Sequence, residues 1–205
     1  MSRITGPRLK IMRALGVDLP GLSRKSIESR PTPPGQHGNT ASRRRKSDYG
    51  VKLQEKQKLR FNYGLTERQM RRLIIEARKG NEPTGDNFLQ LLERRLDNVI
   101  FRAGFAPTLI AARQLVSHRH VILNGKSVNI PSIRVKVSDE ITLKTTSLKI
   151  AMVQETIGKP VLERPDWLQW AADTHTVKVA HLPDADQVPF PIDVQQVVEY
   201  YSNRI

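Results

Sequence analysis

Near residue 120 the apolar residues stop recurring every three or four positions and begin to alternate. Val121-Ile122-Leu123, then Asn124-Gly125, then Lys126-Ser127-Val128-Asn129-Ile130 predicts a β-hairpin, because Asn-Gly meets the positive-φ demand of a type I′ turn. Two more strands are expected, at Arg134–Val137 and Glu140–Lys144. Upstream the spacing is helical. One helix is expected from Asp48 to Arg60, and a second begins at Thr66, whose capping box with Gln69 precedes the stripe Met70, Leu73, Ile74 and Ala77. A third is expected as one continuous helix from Phe88 to Arg102, burying Phe88, Leu89, Leu92, Leu96, Val99 and Ala103, with Arg94, Asp97 and Phe101 outward. A fourth follows Pro107, with Thr108 as its N-cap and Ala112, Leu115 and Val116 inward. The fold class is therefore α+β, with residues 88–150 forming a two-helix plus antiparallel-sheet module.

The flanks read differently. Residues 1–46 are expected to form a basic, extended arm, since Pro31-Thr32-Pro33-Pro34-Gly35-Gln36-His37-Gly38 excludes regular helix and Arg43-Arg44-Arg45-Lys46 follows. Residues 47–87 form a helical segment. Residues 151–205 hold Trp167 and Trp170, read as packing residues, and a last helix after Asp193 that buries Val194, Val197, Val198 and Tyr201.

Charge narrows the partners. The chain of 205 residues carries a formal net charge of +14, but residues 1–150 hold +18 and residues 151–205 hold −4. A field so segregated favours a polyanion, and no segment pairs a wide apolar face with a Lys/Arg-rich one as a lipid surface would require. No apolar run approaches the ~18 residues of a membrane span, and no apolar stretch of a secretory signal follows the basic N-terminus, so a soluble protein is expected.

Catalytic chemistry finds little footing. Gly125-Lys126-Ser127 resembles the end of a phosphate-binding loop, yet position 120 is His where that loop needs Gly. The five histidines lack metalloprotease spacing, and the absence of cysteine excludes a Cys-ligated zinc or iron–sulfur site and a Cys nucleophile. Most carboxylates of the first 150 residues stand three or four positions from Lys or Arg, as ordinary helix-face pairs. No enzyme activity and no cofactor are expected.

Several strings together resemble small-subunit ribosomal protein four of bacterial and organellar type. They are Pro34-Gly35-Gln36-His37-Gly38, Ser47-Asp48-Tyr49-Gly50, Glu55-Lys56-Gln57-Lys58, Leu96-Asp97-Asn98-Val99, Ala112-Arg113-Gln114-Leu115-Val116-Ser117-His118, Val121-Ile122-Leu123-Asn124-Gly125 and Val198-Glu199-Tyr200-Tyr201-Ser202. The resemblance implies a discontinuous, mostly helical domain, made of residues 47–87 and 151–205, with the RNA-binding module 88–150 inserted. It implies direct binding to small-subunit rRNA, nucleation of body assembly, and a contribution to decoding accuracy through small-subunit protein five. Other ribosomal proteins, messenger RNA at its entry path and, in some bacteria, self-repression of the messenger belong to the same expectation, as does a ribosome of the cytoplasm or a plastid. The metal-binding arm cysteines of many relatives are missing here, so no metal is carried over. Segment 144–192 departs from the family pattern.

RNA helices are read largely through phosphates and ribose hydroxyls, which suits cationic faces on rigid elements. The expected contact residues of the module are Arg94, Thr108, Arg113, Gln114, Ser117, His118, Arg119 and Lys126; those of the second surface are Arg43, Arg44, Arg45, Lys46, Arg68, Arg71 and Arg72. Arg113→Ala is expected to weaken binding by ~1–3 kcal/mol with little loss of stability. The rival classes are an RNA-modifying enzyme that uses the module for targeting, for which the ~55 residues after it are too few, and an RNA chaperone that recycles stalled ribosomes.

Overall fold

The computed structural model describes residue 4, residues 6–38 and residues 46–202, and divides into two compact units. Residues 1–89 with 188–205 form the first, and residues 90–187, inserted between them, form the second.

The first unit is helical. Helix α1, Arg8–Leu15, buries Met12 and Leu15, and the following turn buries Leu19 and Leu22. This corrects the reading of an extended arm: its basic residues masked an apolar spacing of three and four. Arg13 serves the fold here, donating from Nε to the Thr32 carbonyl at 2.9 Å. The arm is further tied to α2, Asp48–Asn62, where Gln54 donates to the Leu15 carbonyl and the Gly21 amide donates to Asn62 Oδ1 at 3.0 Å. A Cβ on Gly21 would lie 2.6 Å from the Asn62 carbonyl oxygen, so glycine is required by close approach. Helix α3, Glu67–Ala77, has the expected Thr66/Gln69 capping box and buries Met70, Leu73, Ile74 and Ala77. Helix α4, Thr84–Glu93, begins in this unit.

The C-terminal helix, which will be α9, spans Val194–Ser202 and buries Val197, Tyr200 and Tyr201. It meets α2 and α3 through charge as well as apolar surface. Lys52 pairs with Glu199 at 2.9 Å, Lys56 with Glu67 at 2.8 Å, and the Tyr201 hydroxyl donates to Glu67 at 2.6 Å. Burial alone would raise the Glu67 carboxyl, but hydrogen bonds from Lys56 and Tyr201 and the charges of Lys56 and Arg60 outweigh it and hold it below its ordinary value. Burial, reinforced by the Glu67 bond, pushes the Tyr201 phenol up, so it stays a donor. Because the folded-state Glu67 value is depressed, its contribution to stability is present above the ordinary carboxylate range and is lost as pH falls through it. Glu67→Gln should therefore flatten the acid side of a plot of Tm against pH below about pH 4.5, while costing under ~1 kcal/mol at pH 7 because Glu67 is half exposed. An unchanged acid limb would show that Glu67 carries none of it.

The second unit corrects the long helix expected over Phe88–Arg102. It breaks at Arg94–Arg95, giving α4 and a separate α5, Leu96–Arg102. The break is stabilised by the segment 131–135, which pairs with the opened backbone. Leu96 N donates to the Ile133 carbonyl at 2.8 Å, Asp97 N to that of Pro131 at 3.1 Å, and Val135 N to that of Arg94 at 2.9 Å. Arg134 consequently makes only an isolated bridge with Arg95, in place of the strand expected at Arg134–Val137. Rotation at the break also turns Asp97 and Phe101 inward, at 0% and 3% exposure, against the outward face expected from one continuous helix.

Helix α6, Leu109–Ser117, follows, capped as expected by Thr108. Then come β1 (Val121–Leu123), β2 (Lys126–Val128), β3 (Glu140–Leu143), short α7 (Thr145–Leu148), α8 (Ala151–Gly158), β4 (Leu168–Ala171) and β5 (Thr176–Val179). The sheet is antiparallel throughout, in the order β2-β1-β3-β5-β4. Asn124 and Gly125 take φ of 49° and 75°, as the hairpin turn requires. Residues 151–187 therefore belong with the module, because β4 and β5 extend its sheet, Ile141 standing opposite Val177. Only 188–205 returns to the helical unit, so the boundary expected at residue 150 lies near 187 instead. One core joins Leu96, Val99, Ile100, Phe105, Leu109, Ala112, Leu115 and Val116 of the helical half to Val121, Ile141, Leu143, Val177, Val179 and Trp167 of the other. Trp167 is a packing residue, fully buried, and Trp170 lies edge-on to Phe105 with the Arg164 guanidinium 4.2 Å from its ring centroid.

Candidate nucleic-acid interface

The end of α6 and the start of the sheet bring one group of predicted residues together. Gln114, His118 and Arg119 are exposed and Ser117 is half-buried, all on or just beyond the last turn of the helix. β1 leaves from His120 and pairs with β2, on which Lys126 and Ser127 are exposed. Ser127 Oγ donates to the Arg119 carbonyl at 3.3 Å, which fixes the hairpin beside the helix end. The His118 and His120 rings are 6.1 Å apart, and His120 Nδ1 lies 2.8 Å from Ser147 Oγ. His118 is thus the solvent-facing member and His120 is engaged within the fold.

Three other predicted residues are committed to structure. Thr108 is 9% exposed, with its hydroxyl accepting from the Ala111 amide at 3.3 Å as the helix cap. Arg94 donates from Nε to the Val135 carbonyl at 3.1 Å, clamping the segment that splits the helix. Arg113 does not point freely into solvent as expected. Its Nε and Nη2 lie 3.0 and 2.7 Å from Asp97 Oδ2, and its side chain is 12% exposed.

Asp97 is the centre of that arrangement. Arg95 approaches it from Nε at 3.1 Å to Oδ1 and from Nη2 at 2.8 Å to Oδ2, and the Asn98 amide donates to Oδ1 at 3.0 Å. Two guanidinium groups therefore hold one fully buried carboxylate, leaving the triad a net positive charge. A second buried set stands beside it: Glu93, 1% exposed, accepts from Asn98 Nδ2 at 2.9 Å and pairs with Arg102 at 3.4 Å, while Arg102 Nη2 donates to the Gln187 carbonyl at 2.7 Å.

In the helical unit the second surface lies on α3. Arg68, Arg71 and Arg72 are exposed, and spacings of three and four place them on one face. Among the described residues none of the three has an ion pair or side-chain hydrogen bond. Lys46 is also exposed and its amine donates to Gln54 Oε1. Arg43, Arg44 and Arg45 lie outside the described residues. No group of three or more His, Cys, Asp or Glu able to hold a metal ion occurs among the described residues, and no described helix is long and apolar enough to cross a membrane.

The two matching family models meet close to the first boundary between the units. Residues 3–93 match the family model described as ribosomal protein S4/S9 N-terminal domain, and residues 94–141 match the S4 domain. Small ribosomal subunit protein uS4 of Methylobacillus flagellatus is 72% identical over 205 residues, covering the whole of both chains. The chain belongs to the uS4 family. Protein uS4B of Nitrosomonas europaea is likewise 72% identical over both full lengths, and uS4 of a Synechococcus strain is 48% identical over 206 aligned positions. The S4 domain match opens at Arg94, where the long helix breaks, and includes the Asp97 triad, α6 and the hairpin.

The buried charges Glu93, Arg95, Asp97 and Arg102 were invisible to pattern reading, which places charge outside. One signal was present: Glu93-Arg94-Arg95 and Asp97-Asn98 interrupt an otherwise apolar stripe with polar residues on every side of the helix. A continuous amphipathic helix confines them to one face.

Proposed function

We propose that this chain is a structural, rRNA-binding component of the small ribosomal subunit, that it has no catalytic role, and that it works on the ribosome in the cytoplasm or a plastid. The observation that carries the reading is the placement of exposed cations on two rigid supports in a chain of the uS4 family. Arg68, Arg71 and Arg72 lie on α3, and Arg119 and Lys126 stand with Gln114, Ser117 and His118 at the junction of α6 and the hairpin. Rigid cationic faces suit recognition of a folded RNA by its phosphates and ribose hydroxyls, because their geometry is set before binding. Exposed Lys46 and the Arg43, Arg44 and Arg45 that precede it in the sequence belong to the same proposal as phosphate contacts. Thr108, Arg94 and Arg113 support the interface from within the fold.

Binding to a folded rRNA through two separate units would allow the protein to nucleate the body of the subunit early in assembly. Contacts with small-subunit protein five and other ribosomal proteins, an influence on decoding accuracy, and proximity to incoming messenger RNA belong to the same proposal.

Co-sedimentation tests the central claim. A structural component remains with small subunits washed in high salt at about one copy per particle. Release into the wash, at well below one copy, would identify a transient factor or modifying enzyme and overturn the reading.

A further inference from the structure

Helix α6 ends in a Schellman motif built without glycine. His120 N donates to the Leu115 carbonyl at 3.0 Å and Arg119 N to the Val116 carbonyl at 2.9 Å, the two bonds that define the motif. Its geometry demands a left-handed residue immediately after the cap residue His118, and that residue is Arg119, at φ 62°. Glycine occupies this position most often because it has no Cβ to crowd the backbone. A long β-substituted side chain is strained there whatever space surrounds it.

Local contacts explain the other left-handed side chains of the same unit better. Asn124 sits in the hairpin turn, where Asn is favoured, and its side chain bonds Asp139 and the Glu140 amide at 2.8 Å each. Ser138 is small and its amide is fixed by the Val179 carbonyl at 2.8 Å; His175 lies against the Trp170 ring. Arg119 has no such return. Among the described residues its guanidinium makes no hydrogen bond or ion pair, and only its backbone is engaged, by Val116 and by Ser127 Oγ. The strain therefore holds an exposed cation in a fixed backbone setting beside Lys126, Ser127 and His118, where a smaller residue would fold more easily.

We propose that Arg119 is a phosphate-binding residue retained against the preference of its own backbone, and that it grips an RNA phosphodiester at the junction of α6 and the hairpin. The inference rests on the rRNA-binding reading and adds to it a residue whose contributions to folding and to binding have opposite signs.

That opposition supplies the test. Full-length protein, Arg119→Gly and Arg119→Lys are compared for thermal stability and for binding to a small-subunit rRNA transcript across a salt series. Arg119→Gly should raise Tm by about 1–4 °C through relief of strain. The same variant should bind the transcript roughly 5- to 100-fold more weakly. Its log–log salt slope should be shallower by about one phosphate contact. Arg119→Lys should keep the steeper slope and most of the affinity without the gain in Tm. If Arg119→Gly binds with unchanged affinity and slope, Arg119 is not a contact, while the wider reading stands on the steep slope of the parent protein. If Arg119→Gly melts lower than the parent, the backbone is not strained for the ligand's sake and the proposal fails. A parent protein with a flat salt response would remove the rRNA reading itself.

Discussion

Replacing Asp97 with Asn should cost about 3–5 kcal/mol of folding stability, the typical loss when one member of a buried ion pair is removed. At 2–4 °C per kcal/mol for a chain of this size, Tm should fall by roughly 6–20 °C. The carboxylate is fully buried and accepts from Arg95, Arg113 and the Asn98 amide. An Asn side chain fills almost the same volume, so the loss isolates charge from packing. It leaves Arg95, 6% exposed, and Arg113, with its side chain 12% exposed, as two cations sharing one neutral acceptor. Arg113→Ala is milder, because Asp97 keeps its pair with Arg95; a loss of about 1–3 kcal/mol is expected. This departs from the expectation, drawn from helix periodicity, that truncating Arg113 costs little stability. Urea denaturation of the three proteins checks the order, and an Asp97→Asn loss under ~1 kcal/mol would mean the triad is solvated and mobile.

The same residues show where sequence reasoning succeeds and where it stops. Thr66 and Gln69, Thr108, and Asn124-Gly125 were legible because caps and tight turns are decided by bonds reaching at most a few residues along the chain. Met70, Leu73, Ile74 and Ala77 were legible because α3 is uninterrupted and has one buried face. The break at Arg94–Arg95 was not, since its cause is the backbone of residues 131–135, some 40 positions away. The orientation of the residues beyond it depends on that break: a straight helix places Asp97 and Phe101 outward, whereas the broken one buries both and brings Asp97 to Arg113. Residues 168–179 failed for a related reason. β4 and β5 are short, and what recruits them is the free edge of β3, a property of the assembled sheet. On the candidate interface the exposed residues Gln114, His118, Arg119 and Lys126 were found, whereas the cost at Arg119 required its φ angle.

Converting Arg68, Arg71 and Arg72 together to alanine should separate binding from folding most cleanly. The three side chains are exposed, and among the described residues they have no ionic partner to lose. They are also like charges three and four positions apart, whose repulsion costs a helix about 0.2–0.5 kcal/mol per pair. Alanine is the best helix former, so α3 should be as stable as before or slightly more so, with Tm unchanged or raised. If each arginine neutralises one phosphate, the log–log salt slope of rRNA binding becomes shallower by about 2–3. Because the lost contacts are electrostatic, affinity should fall at low salt for related and unrelated RNA alike, by about tenfold or more at 0.1 M. Base-edge contacts would instead spare the unrelated RNA. A triple variant that keeps the parent slope would show that α3 presents its arginines to water alone and that the grip on RNA lies on the S4 domain and the arm. A variant that loses both slope and melting temperature would place the arginines in the fold. Only the combination of an intact helix and a flattened slope assigns them to the phosphate backbone.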